Sequence, residues 1–250
     1  MEKALSQFLD QWRSKKYVIG ILLTGSHAVG LQTDNSDIDI RIIFDSSKTK
    51  TLKGLEIIDN HKFSYLGRNI ESIKKKFNDE FLNRQKFEAY IFNVGKILYD
   101  RKNVMSGLKE LAQVYVSTPL LKKIHIKSEV KAGLYGLYNH KNHILSLDES
   151  SPFFSYHYYI FLKKILFYYS SYLGYETFLD TKTEKVLCDL TYREHYHWPE
   201  FPDKKFTEQW IYSINPENIS KNSLINIYHY IENKIEKINE EKFSIQWNEH

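Results

Sequence analysis

The sequence predicts an α/β fold of the α+β kind: a small mixed sheet with helices on it comes first, and an α-helical domain follows. Three observations carry this. Residues 17–23 (YVIGILL) form a short continuous apolar run of the kind that makes a buried strand, bounded by the turn residues Thr24, Gly25 and Ser26. Residues 36–44 (SDIDIRIIF) alternate, so Asp37, Asp39 and Arg41 project from one face while Ile38, Ile40 and Ile42 enter a core on the other. From about Lys102 onward, apolar residues recur almost entirely at helical spacing. The expected division is therefore a sheet-bearing domain over 1–100 and an α-helical domain over 101–250.

The elements follow in order. Residues 1–16 (MEKALSQFLDQWRSKK) have charges throughout an apolar pattern and read as an amphipathic helix leading into the first strand, not a signal peptide. After that strand the chain must turn sharply at Gly25 and Ser26, and Gly30 ends or bends a short helix near 27–29. Residues 46–53 (SSKTKTLK) are a polar connection, 55–65 are extended, and 69–83 form a helix with a basic face at Lys74, Lys75 and Lys76. Residues 87–92, with Ile97 and Leu98, close the first domain. Helices are predicted over 105–116, 119–139, 153–173 and 224–238, the last with a stripe of Leu224, Ile227, Ile231, Ile235 and Ile238. Residues 192–202 (YREHYHWPEFP) read as an aromatic, proline-bearing loop.

Composition narrows the setting. A chain of 250 residues buries a substantial core, and its single cysteine, Cys188, leaves no intrachain disulfide and no cysteine-based zinc site. A reducing, cytoplasmic location is expected. The apolar run over 153–173 carries Lys163 and Lys164 in its middle, which are costly at a bilayer centre, so a buried core helix is expected and no membrane partner. The balance of 35 Lys and Arg against 31 Asp and Glu is only mildly basic. Its arrangement says more: Lys48, Lys50 and Lys53, then Lys74 to Lys76, then Lys122, Lys123 and Lys127 are clustered, as a polynucleotide footprint or as solvated helix faces.

Residues 25–41 (GSHAVGLQTDNSDIDIR) concentrate the chemistry. Gly25 leaves no side chain between backbone and a phosphate, and Ser26 adds a hydroxyl. Asp37 and Asp39 sit side by side as hard oxygen donors of the kind that bind Mg2+ or Mn2+, together with water and substrate phosphates. Two such ions, about 3.5 to 4 Å apart, clamp an in-line phosphoryl or nucleotidyl displacement. Arg41 contacts phosphate or pairs with an aspartate. His27 reads as a surface or capping histidine, and His157, inside the aromatic helix, as a core one.

The pattern G-S-x(3)-G-x(5)-S-D-x-D resembles the signature of the DNA polymerase β-type nucleotidyltransferase superfamily. Arg41, two places beyond the second aspartate, is similar to the subgroup associated with RNA ligases, as are residues 65–70 (YLGRNI) with Asn83 and Glu88. The resemblance implies an enzyme that moves a nucleoside monophosphate from a nucleoside triphosphate (NTP, ATP among them) to an acceptor hydroxyl. Gly25, Ser26 and Arg41 would bind the nucleotide, Asp37 and Asp39 would hold two Mg2+ or Mn2+ ions, and an RNA end would be the preferred acceptor. A protein or small-molecule acceptor, and a catalytically silent nucleotide- or RNA-binding module, are the alternatives. The superfamily needs a third carboxylate on a neighbouring strand, where this chain has His61. Asp59, two residues earlier, is the candidate third catalytic and metal ligand by period-two projection, with Glu56 and Glu71 as alternatives.

Overall fold

The computed structural model describes residues 2–122, 127–238 and 243–246. The chain divides into two compact units, one of residues 1–119 with 178–199, the other of 120–177 with 200–250.

In the first unit, α1 (Glu2–Arg13) precedes β1 (Val18–Thr24), and α2 (Gly25–Val29) links it to β2 (Ile38–Phe44). Then follow β3 (Leu52–Ile58), β4 (His61–Asn69), α3 (Ile70–Leu82), α4 (Phe87–Val94), β5 (Lys96–Asp100) and α5 (Met105–Ser117). The five strands make one mixed sheet in the order β3-β4-β2-β1-β5, in which β2 and β4 are parallel and the other pairs antiparallel. Its small mixed character agrees with the sequence expectation.

Alternation along β2 sorts its side chains between two cores. Ile38, Ile40 and Ile42 pack with Phe8, Leu9 and Trp12 of α1, where Phe8 stacks on Phe63 with centroids 4.8 Å apart. On the other face Ile43 joins Leu22, Ile73 and Phe77 beneath α3, α4 and α5. That second core stops short of Asp37 and Asp39, so the carboxylates stand on a part of the sheet that its apolar cluster leaves uncovered.

The expected boundary after residue 100 is corrected in two places. Met105, Leu108 and Ala112 of α5 are fully buried in the core with Ile19 and Leu22, so the first unit runs on to residue 119. The segment 178–199 also returns to it, carrying α8 (Thr183–Cys188) and α9 (Leu190–Tyr196), and Trp198 stacks on Tyr90 at 4.5 Å. A helix thus stands where a loop is predicted from residue 192.

The second unit is helical among the described residues, with α6 (Lys127–Ser146), α7 (Pro152–Leu173), α10 (Lys204–Ile214) and α11 (Lys221–Ile235). Ser151 caps α7, Pro152 opens it and Gly174 closes it in the left-handed conformation. Phe154, Tyr158, Phe161, Leu162 and Ile165 bury its aromatic face, and Leu224, Ile227 and Ile231 of α11 are likewise buried. No helix among the described residues is long and apolar enough to cross a membrane. Of the predicted helix 119–139, residues 119–122 are not helical and those from Lys127 onward lie in α6; residues 123–126, Lys123 among them, lie outside the described residues.

Candidate functional site

The site is built at the end of β1 and the start of β2. Thr24 and Asp39 are partners across these strands, and the buried Thr24 hydroxyl donates to the Asp39 carbonyl at 3.0 Å. Gly25 then turns the chain in the left-handed region, at φ 66°. A Cβ on Gly25 would lie 2.2 Å from Asp39 Oδ2, so the backbone can run against that carboxylate only because the residue is glycine. Gly30, also left-handed, ends α2 with its N–H donating to the Ser26 carbonyl. The loop to β2 is pinned where the Thr33 N–H donates to Ser36 Oγ at 2.8 Å and the Ser36 N–H to the Thr33 carbonyl at 2.9 Å.

Electrostatics separate the two aspartates. Burial, with the Asp37 charge adding to it, holds the Asp39 carboxyl above the usual carboxylate range against the opposing pull of Arg41, Lys182 and His27. Asp37 is more open and pairs with Lys62, whose Nζ lies 2.8 Å from Oδ2. A cavity of about 540 Å³ opens here, lined by His27, Asp34, Ser36, Asp37, His61 and Lys62 among others.

The family model described as a nucleotidyltransferase domain matches residues 5–130. The chain belongs to the nucleotidyltransferase domain family. A solved structure of a nucleotidyltransferase-like protein from Exiguobacterium sibiricum is similar at 13% identity and a TM-score of 0.46, over 94% of this chain and 75% of that one. No curated protein matches the chain.

Within the nucleotidyltransferase domain, Gly25, Ser26, Asp37 and Asp39 are brought to one end of the sheet. Asp59 is not. It occupies the β3–β4 turn, where Asp59 and Asn60 are both left-handed (φ 46° and 62°), and it is exposed. Period-two projection fails because the extended segment turns back on itself at that residue, a hairpin that Asp-Asn favours. Glu56 lies on the opposite face, accepting from Gln11 of α1 at 3.2 Å, and Glu71 is an exposed partner of Lys74. Among the described residues no three His, Cys, Asp or Glu side chains gather into a metal-binding group.

Arg41, a nucleotide-binding candidate in the sequence, is turned away to the buried Glu88 of α4. Its Nε donates to Oε1 at 3.0 Å and its Nη2 to Oε2 at 3.2 Å, a bidentate pair that occupies the Nε–Nη2 edge of the guanidinium. The match between Arg41 and residue 88 in the family-like pattern therefore corresponds to a contact that fixes β2 to α4.

Sequence reading missed three residues beside the pair. Lys62 is one. The others arrive on the returning segment: the Lys182 charge acts on Asp39, and Tyr196 feels Asp39 in turn. Burial pushes Lys182 down, and it pushes the Tyr196 hydroxyl up to about 12 with the Asp39 charge adding. His195 Nδ1 holds this segment to α2 by donating to the Val29 carbonyl at 2.6 Å. No local pattern signals Lys182 or Tyr196, because more than a hundred residues of chain separate them from the aspartates.

Gly25 supplies a first test. Gly25→Ala is expected to lower thermal stability by about 1–2 kcal/mol for the left-handed backbone alone, and to displace the Asp39 carboxylate as well. Ser26→Ala, which removes only a hydroxyl, should leave the melting temperature within a degree or two. Equal melting temperatures for the two variants would refute the close approach of Gly25 to Asp39.

Proposed function

We propose that the protein transfers a nucleoside monophosphate from an NTP to an acceptor hydroxyl, with an RNA end as the preferred acceptor. The observation that carries this is the Gly25–Asp39 juxtaposition: a left-handed glycine turn lies directly against the Asp39 carboxylate, inside a nucleotidyltransferase domain. The acceptor oxygen would form a bond to the α-phosphorus while the bond from that phosphorus to the bridging oxygen breaks. Pyrophosphate then leaves with that electron pair, and the hydroxyl proton passes to solvent. Gly25 and Ser26 would hold the triphosphate.

The donor set fits one divalent cation. Asp37 and Asp39 are adjacent hard oxygen ligands, and the burial and mutual repulsion that raise the Asp39 carboxyl are what a cation would offset. Mg2+ or Mn2+ bound there would neutralise phosphate charge during transfer. A second ion fits poorly, since the described residues bring no third carboxylate to the pair.

An RNA acceptor is supported by the resemblance to the RNA-ligase-associated subgroup and by Lys48, Lys50 and Lys53, which follow β2. The run Lys74 to Lys76 contributes less, because Lys74 pairs with Glu71 and Lys76 with Glu80. The missing third carboxylate favours one second reading, a nucleotide-binding module without transfer.

Incubation with each α-labelled NTP and total cellular RNA decides between them. Label on RNA ends with release of pyrophosphate, weakening as salt rises, is the expected result. Label in protein or in small molecules would change the acceptor. Nucleotide binding without pyrophosphate would leave the silent module.

A further inference from the structure

On the face of the sheet that carries Asp37 and Asp39, the strand positions that flank the pair form a definite set, and none of them is acidic. Across β1, Thr24 stands opposite Asp39. On β4, in parallel register, Ser64 stands opposite Asp39, and the ladder that pairs Ile38 with Phe63 brings Lys62 alongside Asp37. One strand further out, β3 sets Leu55 opposite Ser64 and Ile57 opposite Lys62. The position next to the open aspartate, on the adjacent strand and the same face, is thus a lysine with its ammonium 2.8 Å from the Asp37 carboxylate.

We propose that Lys62 supplies the positive charge that a second cation would carry, so that the site takes one divalent ion with the NTP and not two. This rests on the nucleotidyltransferase reading above. Two carboxylates balance one divalent ion, whereas a second would face the Lys62 ammonium, and among the described residues no third carboxylate groups with the pair. Lys62 also lines the cavity that His27, Ser36 and His61 share with Asp37, so its ammonium is placed to meet phosphate oxygens entering there. A lysine serves this as a compact, strongly hydrated point charge on a flexible stem, able to leave Asp37 when a divalent ion arrives.

The test counts ions. Full-length protein is saturated with α,β-methylene-ATP, an analogue that cannot transfer, and Mn2+ is counted by electron paramagnetic resonance on the complex separated from free nucleotide. The wild type is expected to hold one Mn2+ with an uncoupled spectrum. Lys62→Glu, which adds a carboxylate beside Asp37, is expected to hold two, with spin coupling between them. Lys62→Gln is expected to keep one ion and to bind the analogue about tenfold more weakly for loss of a charged contact. Circular dichroism and melting temperature establish that each variant is folded. Two coupled ions on the wild type would overturn this inference and leave the nucleotidyltransferase reading standing. No Mn2+ on the wild type would overturn both. A single ion on folded Lys62→Glu, or unchanged affinity in Lys62→Gln, would also overturn the inference.

Discussion

Asp39→Asn is expected to remove Mg2+-dependent nucleotide transfer while leaving the fold as stable as before, or more so. The loss should exceed about a hundredfold, the upper end of what removing a mere supporting partner of a metal ligand costs. Stability moves the other way because burial and the Asp37 charge disfavour the ionised Asp39 carboxyl in the native state. The sign follows from linkage. Below the unfolded value near 3.8 the carboxyl is protonated in both states and costs nothing; as pH rises through the raised native value the folded state alone pays to ionise it. The wild type therefore loses stability across that window, and Asp39→Asn does not. Calorimetry at pH 3.5 and pH 7 would read the difference, with the variant gaining on the wild type only at the higher pH. Adding Mg2+ and nucleotide at pH 7 should raise the wild-type melting temperature and leave the variant where it was. A variant that melts well below the wild type at pH 7, or that keeps its activity, would remove Asp39 from the metal-binding role.

The parts of this molecule that were readable in the sequence are those governed by local geometry. Strand alternation placed Asp37, Asp39 and Arg41 on one face and Ile38, Ile40 and Ile42 on the other, and the two cores follow that division. Glycine chemistry located the turn at Gly25. Alternation stops informing where the chain reverses. Asp59 falls in a hairpin turn, and residues on either side of such a turn exchange strands, so a count by twos from β4 cannot cross it. Arg41 was open between two roles because its partner, Glu88, lies on a helix whose packing no pattern near residue 41 encodes. Lys182 and Tyr196 were out of reach for the same reason on a larger scale. Their segment belongs to the first unit through contacts such as Trp198 on Tyr90, which depend on the assembled fold.

Arg41→Met is expected to destabilise the protein strongly, which separates the role seen here from that of a triphosphate ligand. Glu88 is almost fully buried, and Arg41 provides both of its guanidinium hydrogen bonds. Arg68 Nη1 also comes within 3.5 Å of Glu88 Oε1, but that nitrogen is buried and makes no hydrogen bond. Removing Arg41 thus leaves a desolvated carboxylate with a single poorly aligned partner, and breaking such a buried pair costs about 3–5 kcal/mol. For a unit of this size each kcal/mol moves the melting temperature by about 2–4 °C, so a fall on the order of 10 °C is expected. Glu88→Gln should produce a fall in the same direction, since it strands Arg41 and Arg68 without their counter-charge. The two changes together should cost less than their sum, because each single variant already loses the shared interaction. If Arg41 instead held phosphate, Arg41→Met would weaken nucleotide binding at an unchanged melting temperature, and Glu88→Gln would not reproduce its effect. Strict additivity in the double variant would likewise detach Arg41 from Glu88, and would return the guanidinium to the nucleotide.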